Sequence, residues 1–396
     1  MRICLDTVAL RPPLTGIGYY VMQLAEHLLA EAHDNEFYAF DGFAVHSLTH
    51  EVLVVQEEQT LASAAAASAS SKALANSGGL KGKVISLARK SNTARRLYRF
   101  IRARRFQQIV ENYDLFHALN FVPPLETKRT VLPLIHDLSF ERLPETHPAE
   151  RVSFLRERLK SISHYPFINT LSNFSASEIA DVYGYPIERI GVTYPGVSAR
   201  MHRPPDPKAM AQVAEMGLKP NSFFLSVGTV EPRKNHKVLI EAYVGLPPAV
   251  RQRCPLIIVG TNGWGKLDVP GQDALVADGS VRFSGYASEE LVRALYEQAR
   301  ALLFPTLYEG FGLPVVEAMA CGTQPVVSEI PVMREVAGDV GIFIDPHDVS
   351  AWRTTLAEIA ADDSRFASAD LLRQRAGLFT WEATARQTLA LYERFK

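Results

Sequence analysis

The sequence predicts an α/β fold of two domains joined by a linker, the second a parallel doubly wound sheet, and three observations predict it. From about Phe223 onward, apolar runs near Phe223, Leu256, Val281, Leu302, Val326 and Ile342 alternate with helical patterns near Val238, Leu291, Val315, Val332 and Trp352. That is the order of a parallel sheet with crossover helices. Glycine turns stand between a strand and a helix at Gly16-Ile17-Gly18 and at Gly310-Phe311-Gly312, and Arg203-Pro204-Pro205-Asp206-Pro207 is too proline-rich to continue either regular element.

A chain of 396 residues, 47% of them hydrophobic, can bury a large core and fits two domains. The formal net charge of -1 argues against an obligate nucleic-acid protein, because no global positive field steers it to phosphates, and leaves room for local basic patches. Cys4, Cys254 and Cys321 are far apart and have no zinc spacing, which fits a reducing, cytosolic compartment. The start, Met1 to Asp6, lacks the apolar core of a signal peptide, and no apolar run approaches the ~20 residues of a membrane span, so a soluble or peripheral protein is expected.

In order along the chain, Ile3 to Asp6 reads as a strand, and a helix follows the glycine turn from about Tyr19 to Leu29. Residues 59–110 hold no Asp or Glu, and basic residues crowd their second half, including Arg95, Arg96, Arg99 and Arg102. Two readings of this arm stand together: a basic amphipathic helix for anionic lipid, or a solvated positive insertion. Strands follow at Asp114 to Leu119 and Thr130 to Ile135, the latter ending in His136-Asp137, at the carboxyl end where open α/β sheets place ligands. Phe167 to Ser172 and Arg189 to Tyr194 read as further strands, and Ser175-Ala176-Ser177-Glu178 matches a capping box. The expected division is residues 1–198, a linker at 199–220, a second domain at 221–378, and a last helix at 379–396 that falls outside the alternation.

The chain is organised around Glu309 to Gly322. Gly310 and Gly312 let the backbone come close to a ligand, Pro314 suits the first helical turn, and Gly322 can end the helix. A helix start with unpaired N–H groups favours phosphate. Glu309 lies before that start, and Glu317 one turn into the helix, within reach of paired hydroxyls such as those of a ribose. Upstream, the strand Phe223 to Gly228 runs into Thr229-Val230-Glu231-Pro232-Arg233-Lys234-Asn235. Two adjacent cations at a strand end suit an anionic ligand, Arg233 as a fork and Lys234 as a compact charge.

The Gly16 turn, Arg233 with Lys234, and Glu309 with Glu317 occur in the order seen in family 4 of the retaining nucleotide-sugar glycosyltransferases, which the chain resembles over nearly its entire length. The resemblance implies the GT-B fold, two Rossmann-like doubly wound domains facing across a cleft, with the last helix crossing back to the first domain. It implies a catalytic set of His136, Arg233, Lys234 and Glu309. It implies donor contacts from Gly16, Gly18, Asp137, Gly228, Tyr286, Gly310, Phe311, Gly312, Leu313 and Glu317, with the nucleobase held near Ser284-Gly285-Tyr286 by backbone groups.

Many family members have an arginine where this chain has Thr229, and a lysine farther on, so the roles of Arg233 and Lys234 stay interchangeable. Glu-Pro-Arg-Lys-Asn and His136-Asp137 resemble a subgroup rich in bacterial polysaccharide mannosyltransferases. That likeness implies transfer of mannose from GDP-mannose to a glycan or lipid-linked acceptor in O-antigen or exopolysaccharide synthesis. The donor is then a substrate; no cofactor, metal or nucleic acid is expected, and the site of work is the cytoplasm or the cytoplasmic face of the inner membrane. No Asp-x-Asp stands in a ligand-facing position. Another donor such as a UDP-sugar or GDP-rhamnose, an epimerase on the same architecture, and a noncatalytic binding module are the rival readings.

Overall fold

The structure, a computed structural model, describes residues 1–11, 14–32, 34–51, 53, 101, 104–123 and 130–396. Strands β1 (Arg2–Asp6), β2 (Glu36–Phe40), β3 (Val45–Ser47), β4 (Leu115–Ala118), β5 (Val131–Ile135), β6 (Ile168–Thr170) and β7 (Ile190–Val192) make one seven-stranded sheet in the order β3-β2-β1-β4-β5-β6-β7. Only the edge strand β3 is antiparallel to its neighbour. Strands β8 (Phe224–Val227), β9 (Leu256–Val259), β10 (Val281–Gly285), β11 (Ala301–Phe304), β12 (Gln324–Ser328) and β13 (Ile342–Ile344) make a six-stranded parallel sheet in the order β10-β9-β8-β11-β12-β13.

The runs Val131–Ile135, Leu256–Val259 and Gln324–Ser328 are buried at every residue. Helices cover both faces of such a sheet, which is why these strands read as continuous apolar runs without alternation. In the second sheet the chain winds outward from β8 through β9 to β10, then crosses to β11 on the other side of β8. The order therefore reverses between β8 and β11, and a crevice opens beyond their carboxyl ends. The first sheet reverses in the same way between β1 and β4.

The chain passes between the sheets twice, and the two passages run side by side. Val197 N–H donates to Phe379 O at 3.0 Å. A Cβ on Gly196 would lie 2.1 Å from Trp381 N, so only glycine lets the passages touch. The helix Trp381–Glu393 then packs on the helix Gly16–Glu31 and on β7, where Leu391 fills the place of a side chain at Gly191. Its Tyr392 hydroxyl meets His117 Nδ1 at 2.7 Å beneath the first sheet.

Several local expectations are corrected. The Pro-rich stretch does not stay irregular: Asp206 caps a helix at Pro207–Glu215, because proline fits the first helical position and its missing N–H is not needed there. The helix after β6 starts at Asn173, capped by Ser172, whose hydroxyl accepts from Ser175 N–H, so Ser175 is not the cap. Glu178 instead faces across to Arg142. Strands β2 and β3 and the helix Ala149–Leu159 had no sequence expectation. Of the basic arm, residues 101 and 104–110 are helical, and the rest of residues 59–110, with Arg95, Arg96, Arg99 and Arg102, lies outside the described residues. Among the described residues no helix is long and apolar enough to cross a membrane, and all three cysteines are buried and free.

Candidate active site

The loops that leave β8 and β11 meet at the crevice and bring their charges together. Arg233 and Lys234 lie in a short 3₁₀ turn, Pro232–Lys234, which ends at Asn235 in the left-handed conformation. Asn235 holds that geometry by donating to Pro305 O and Pro346 O at 3.0 and 2.8 Å. Glu309 comes from the β11 loop and is buried. Its carboxylate accepts from Lys234 Nζ at 2.6 Å and from Thr306 Oγ1 at 3.0 Å, and pairs with Arg233 Nη1 at 2.9 Å. Arg233 also donates to Glu231 Oε1 at 2.8 Å and to Tyr308 O at 2.6 Å.

Burial alone would push the Glu309 carboxyl up, but Arg233 and Lys234 outweigh it and hold the group below its usual range. Burial would likewise depress Arg233, and the charges of Glu309, Asp137 and Glu231 keep it raised instead. The two cations are thus not idle charges awaiting an anion. They share three carboxylates, and the Lys234 ammonium has one described hydrogen bond, to Glu309, and lies 5.0 Å from the Phe304 ring centroid.

Asp137 joins this cluster from the other sheet. Its Oδ1 accepts from Ser139 N–H at 2.9 Å and Ser139 Oγ at 2.7 Å. Burial raises its carboxyl, and Arg233 with the Ser139 bonds brings it below the ordinary value. His136 is buried, with Nε2 against Leu119 O at 2.8 Å and ring contacts to Tyr20 and Phe121. Burial lowers its pKa, so it sits neutral, and with Nε2 donating to a carbonyl its other nitrogen is the acceptor.

Gly310 comes close to protein, not to open space. A Cβ there would lie 1.9 Å from His136 O, and the Gly310 carbonyl accepts from Ser172 and Ser175 hydroxyls. Gly312, at φ 118, caps the helix Leu313–Ala320 and has Met333 where a side chain would go. Phe311 points its ring into packing with Tyr194 and Phe379, so what it can offer a ligand is backbone. Gly18 is demanded by packing on Ala9 and Leu14, whereas Gly16 opens the helix with no neighbour near its Cβ position. Gly228 is called for by its backbone, at φ 147, since a Cβ there would touch the Lys234 stem only at ordinary contact distance.

A second group of the expected residues lines a cavity between the halves. Glu317, Leu313 and Tyr286 form its wall on the second half, with Glu289; Tyr19, Tyr20 and Trp381 face them from the first. Glu317 Oε2 accepts from Tyr296 OH at 2.9 Å. Among the described residues it makes no ion pair such as Arg233 makes with Glu309, and burial pushes its carboxyl up to about 7, against the lowering effect of Tyr296. The two glutamates of one motif are therefore shifted in opposite directions by their surroundings.

Sequence reasoning missed the partners: Thr306, Tyr308 and Glu231 around Arg233 and Glu309, Tyr296 under Glu317, and Glu335, which reaches across the cleft. Glu335 accepts from Asn173 N–H at 2.7 Å, Phe174 N–H at 2.9 Å and Tyr194 OH at 2.7 Å. An Asp or Glu four positions into a helix carries no sequence signal for such a distant cap. Among the described residues no group of three or more His, Cys, Asp or Glu is placed to hold a metal ion.

Comparison with known proteins accords with this geometry. Residues 213–376 match the family model "Glycosyl transferases group 1". The chain is 33% identical to the Escherichia coli O-antigen chain mannosyltransferase B over 400 residues, 99% of this chain and 100% of the relative. It is also 33% identical over 180 residues to the serotype-specific mannosyltransferase WbdA of Escherichia coli, covering 44% of this chain and 22% of that protein. Among solved structures, Anabaena Alr3699/HepE in complex with UDP and glucose superposes with a TM-score of 0.69 at 17% identity over the whole of both chains, which shows the shared fold. The two doubly wound sheets, the cleft between them and the full-length likeness leave one assignment: the chain belongs to the group 1 glycosyl transferases, the family 4 enzymes of GT-B fold.

Proposed function

We propose that this glycosyltransferase moves a hexose, mannose from GDP-mannose, with retention at the anomeric carbon, to a glycan or lipid-linked acceptor in bacterial O-antigen or exopolysaccharide synthesis. The observation that carries the reading is Glu309 bound by both Arg233 and Lys234 at the reversal point of the second sheet, next to the start of the helix Leu313–Ala320. The full-length likeness to the O-antigen chain mannosyltransferase supports the choice of sugar.

In this reading the diphosphate lies over the helix start, where backbone N–H groups and Lys234 meet the charge that grows as the sugar leaves. Glu309, fixed by its two cations, faces the sugar hydroxyls, and Glu317 faces the ribose from the cavity wall. Asp137 approaches from the opposite half. The residues in place supply leaving-group stabilisation by cations and dipoles, so transfer is expected to proceed without a divalent ion.

The decisive measurement is a binding panel of GDP-, UDP-, ADP- and dTDP-sugars, followed by transfer assays with exhaustive EDTA and NMR of the product anomer. Preference for another base, an inverted product, isomerised donor without an acceptor, or activity restored only by manganese or magnesium would each overturn its part of the reading. The basic stretch of residues 59–110 would hold the enzyme at the anionic cytoplasmic face of the inner membrane, each cation contributing about 1 kcal/mol there. Neutralising Arg95, Arg96, Arg99 and Arg102 together should abolish pelleting with anionic vesicles at low salt.

A further inference from the structure

The loop after β9 is keyed to the segment that carries Arg233. Gly260, at φ 154, lies so close that a Cβ would sit 2.0 Å from Gly228 O; at Gly263 it would meet Thr229 Cγ2 at 2.7 Å, and at Gly265 Pro232 Cγ at 2.7 Å. Val230 N–H donates to Thr261 O and Gly263 N–H to Val230 O, both at 3.0 Å. The loop and the Arg233 segment therefore move as one body.

The tip of that loop is Trp264, and it leaves its own half of the molecule. Its indole N–H donates to Thr146 O at 2.6 Å. The His147 ring lies 5.6 Å away, centroid to centroid and tilted 34°, and the Arg151 guanidinium is 5.4 Å from the indole centroid.

From His147 a directed chain leads back to the charge cluster. Ser139 Oγ gives its one proton to Asp137 Oδ1 at 2.7 Å, so the 2.9 Å contact to His147 Nε2 is one in which the imidazole donates. That fixes the tautomer, with Nδ1 bare, and Nδ1 is buried without a hydrogen-bond donor among the described residues. Asp137 in turn lies against the Glu309 loop, its Cβ 3.0 Å from where a Cβ on Gly310 would sit, and its carboxylate feels the charge of Arg233. The path runs from the Arg233 segment through the glycine-rich loop, Trp264, His147 and Ser139 to Asp137, beside Gly310.

We propose that Trp264, acting through His147 and Ser139, is a positioning residue that orients the Asp137 carboxylate beside the Glu309–Gly310 loop only when the two halves are closed. The inference rests on the proposed transfer reaction for its kinetic consequence, not for its geometry. Opening the cleft carries Trp264 off Thr146 and off the His147 ring; His147 can then swing its Nε2–H away from Ser139, and Asp137 keeps only the bonds from Ser139 within its own loop. A carboxylate displaced by an ångström in a site of this kind costs turnover more than binding of the distant nucleoside. The cavity lined by Glu317 and Tyr286 does not include Trp264 or His147.

The test uses three variants of the full chain. Trp264→Phe keeps a ring beside His147 and removes the indole N–H; it should lower kcat about tenfold, the weight of one hydrogen bond, and leave the donor KM within about twofold. His147→Ala should match it, and His147→Gln, whose carboxamide can donate to Ser139, should recover most of the loss. Hydrogen exchange across residues 137–147 should rise about tenfold in Trp264→Phe and His147→Ala but not in His147→Gln, with unchanged exchange at β12. Unchanged exchange across 137–147 in Trp264→Phe, a loss confined to KM, or equal impairment of the Gln and Ala variants would overturn the proposal. A wild-type protein that turns over no nucleotide hexose would sink the transfer reading alone, while the exchange data still decide the positioning role.

Discussion

Ser172 donates its hydroxyl to the carbonyl of Gly310 at 2.7 Å, joining residues 138 positions apart and the two halves of the molecule. The closed cleft is held at backbone level: the same glycine has His136 O where a Cβ would go. The motif glycine expected to admit a ligand admits the other domain.

Gly310→Ala should therefore fold and fail to close. The clash lies between halves, so opening at the linker relieves it and the thermal midpoint should stay near that of the wild type. Turnover should fall about a hundredfold or more, since reacting groups displaced by an ångström lose that much. Small-angle scattering should report a larger radius for the variant; a wild-type kcat would refute the closure role of this contact.

Glu317 should give donor binding a pH dependence. Its carboxyl is raised to about 7 by burial, so it is largely neutral near pH 6 and ionised near pH 8, and only the ionised form accepts charge-assisted bonds from both ribose hydroxyls. Donor KM should fall as pH rises through about 7. Glu317→Gln should remove that step and raise KM about tenfold, the weight of a bond to a charged group. A variant that keeps the step, with circular dichroism unchanged, assigns the titration elsewhere.

Arg233→Ala should cost stability as well as rate. The side chain neutralises Glu309 and Glu231, which are buried, and removing one partner of a buried ionic group costs about 3 kcal/mol or more. Lys234→Ala leaves Arg233 on both carboxylates and should mainly reduce kcat. Chemical denaturation of the two variants beside their kinetics separates the roles. Equal stability for both would show that Arg233 is not a structural cation.

Glu335→Ala should loosen the closed state. Its carboxylate caps the helix Asn173–Tyr183 from the opposite half and takes the Tyr194 hydroxyl. The loss of a charged cap is worth about 1 kcal/mol, enough to raise donor KM about fivefold by shifting the population to open molecules. The thermal midpoint should move little; an unchanged KM would leave Glu335 as an ordinary cap.

The fold was largely legible in residues. Buried strands such as Val131–Ile135 and Leu256–Val259 show as apolar runs, and the glycine turns with Pro314 and Gly322 mark where strand gives way to helix. Less was legible where propensity and context disagree. Pro207 reads as a breaker until Asp206 caps it, and β2 and β3 at the sheet edge carry mixed residues that no periodicity separates from a loop. For the site, Arg233, Lys234, Glu309 and Glu317 could be nominated because their charge types and their places at strand ends are local facts.

By itself the sequence determined the alternation of strands and helices, the glycine positions and the charges at the ends of β8 and β11, because each depends on neighbours within a few residues. Tertiary structure alone decided what those groups meet. It turned the Phe311 ring into packing, spent Arg233 on Glu309 and Glu231, left Glu317 without an ion pair among the described residues, and brought Gly310 onto His136 and Trp264 onto Thr146. The physical reason is that pKa, pairing and closure depend on distances between segments that meet only on folding, within the second half for Arg233 with Glu309 and across the cleft for Gly310 with His136 and Trp264 with Thr146, and no local pattern encodes those distances.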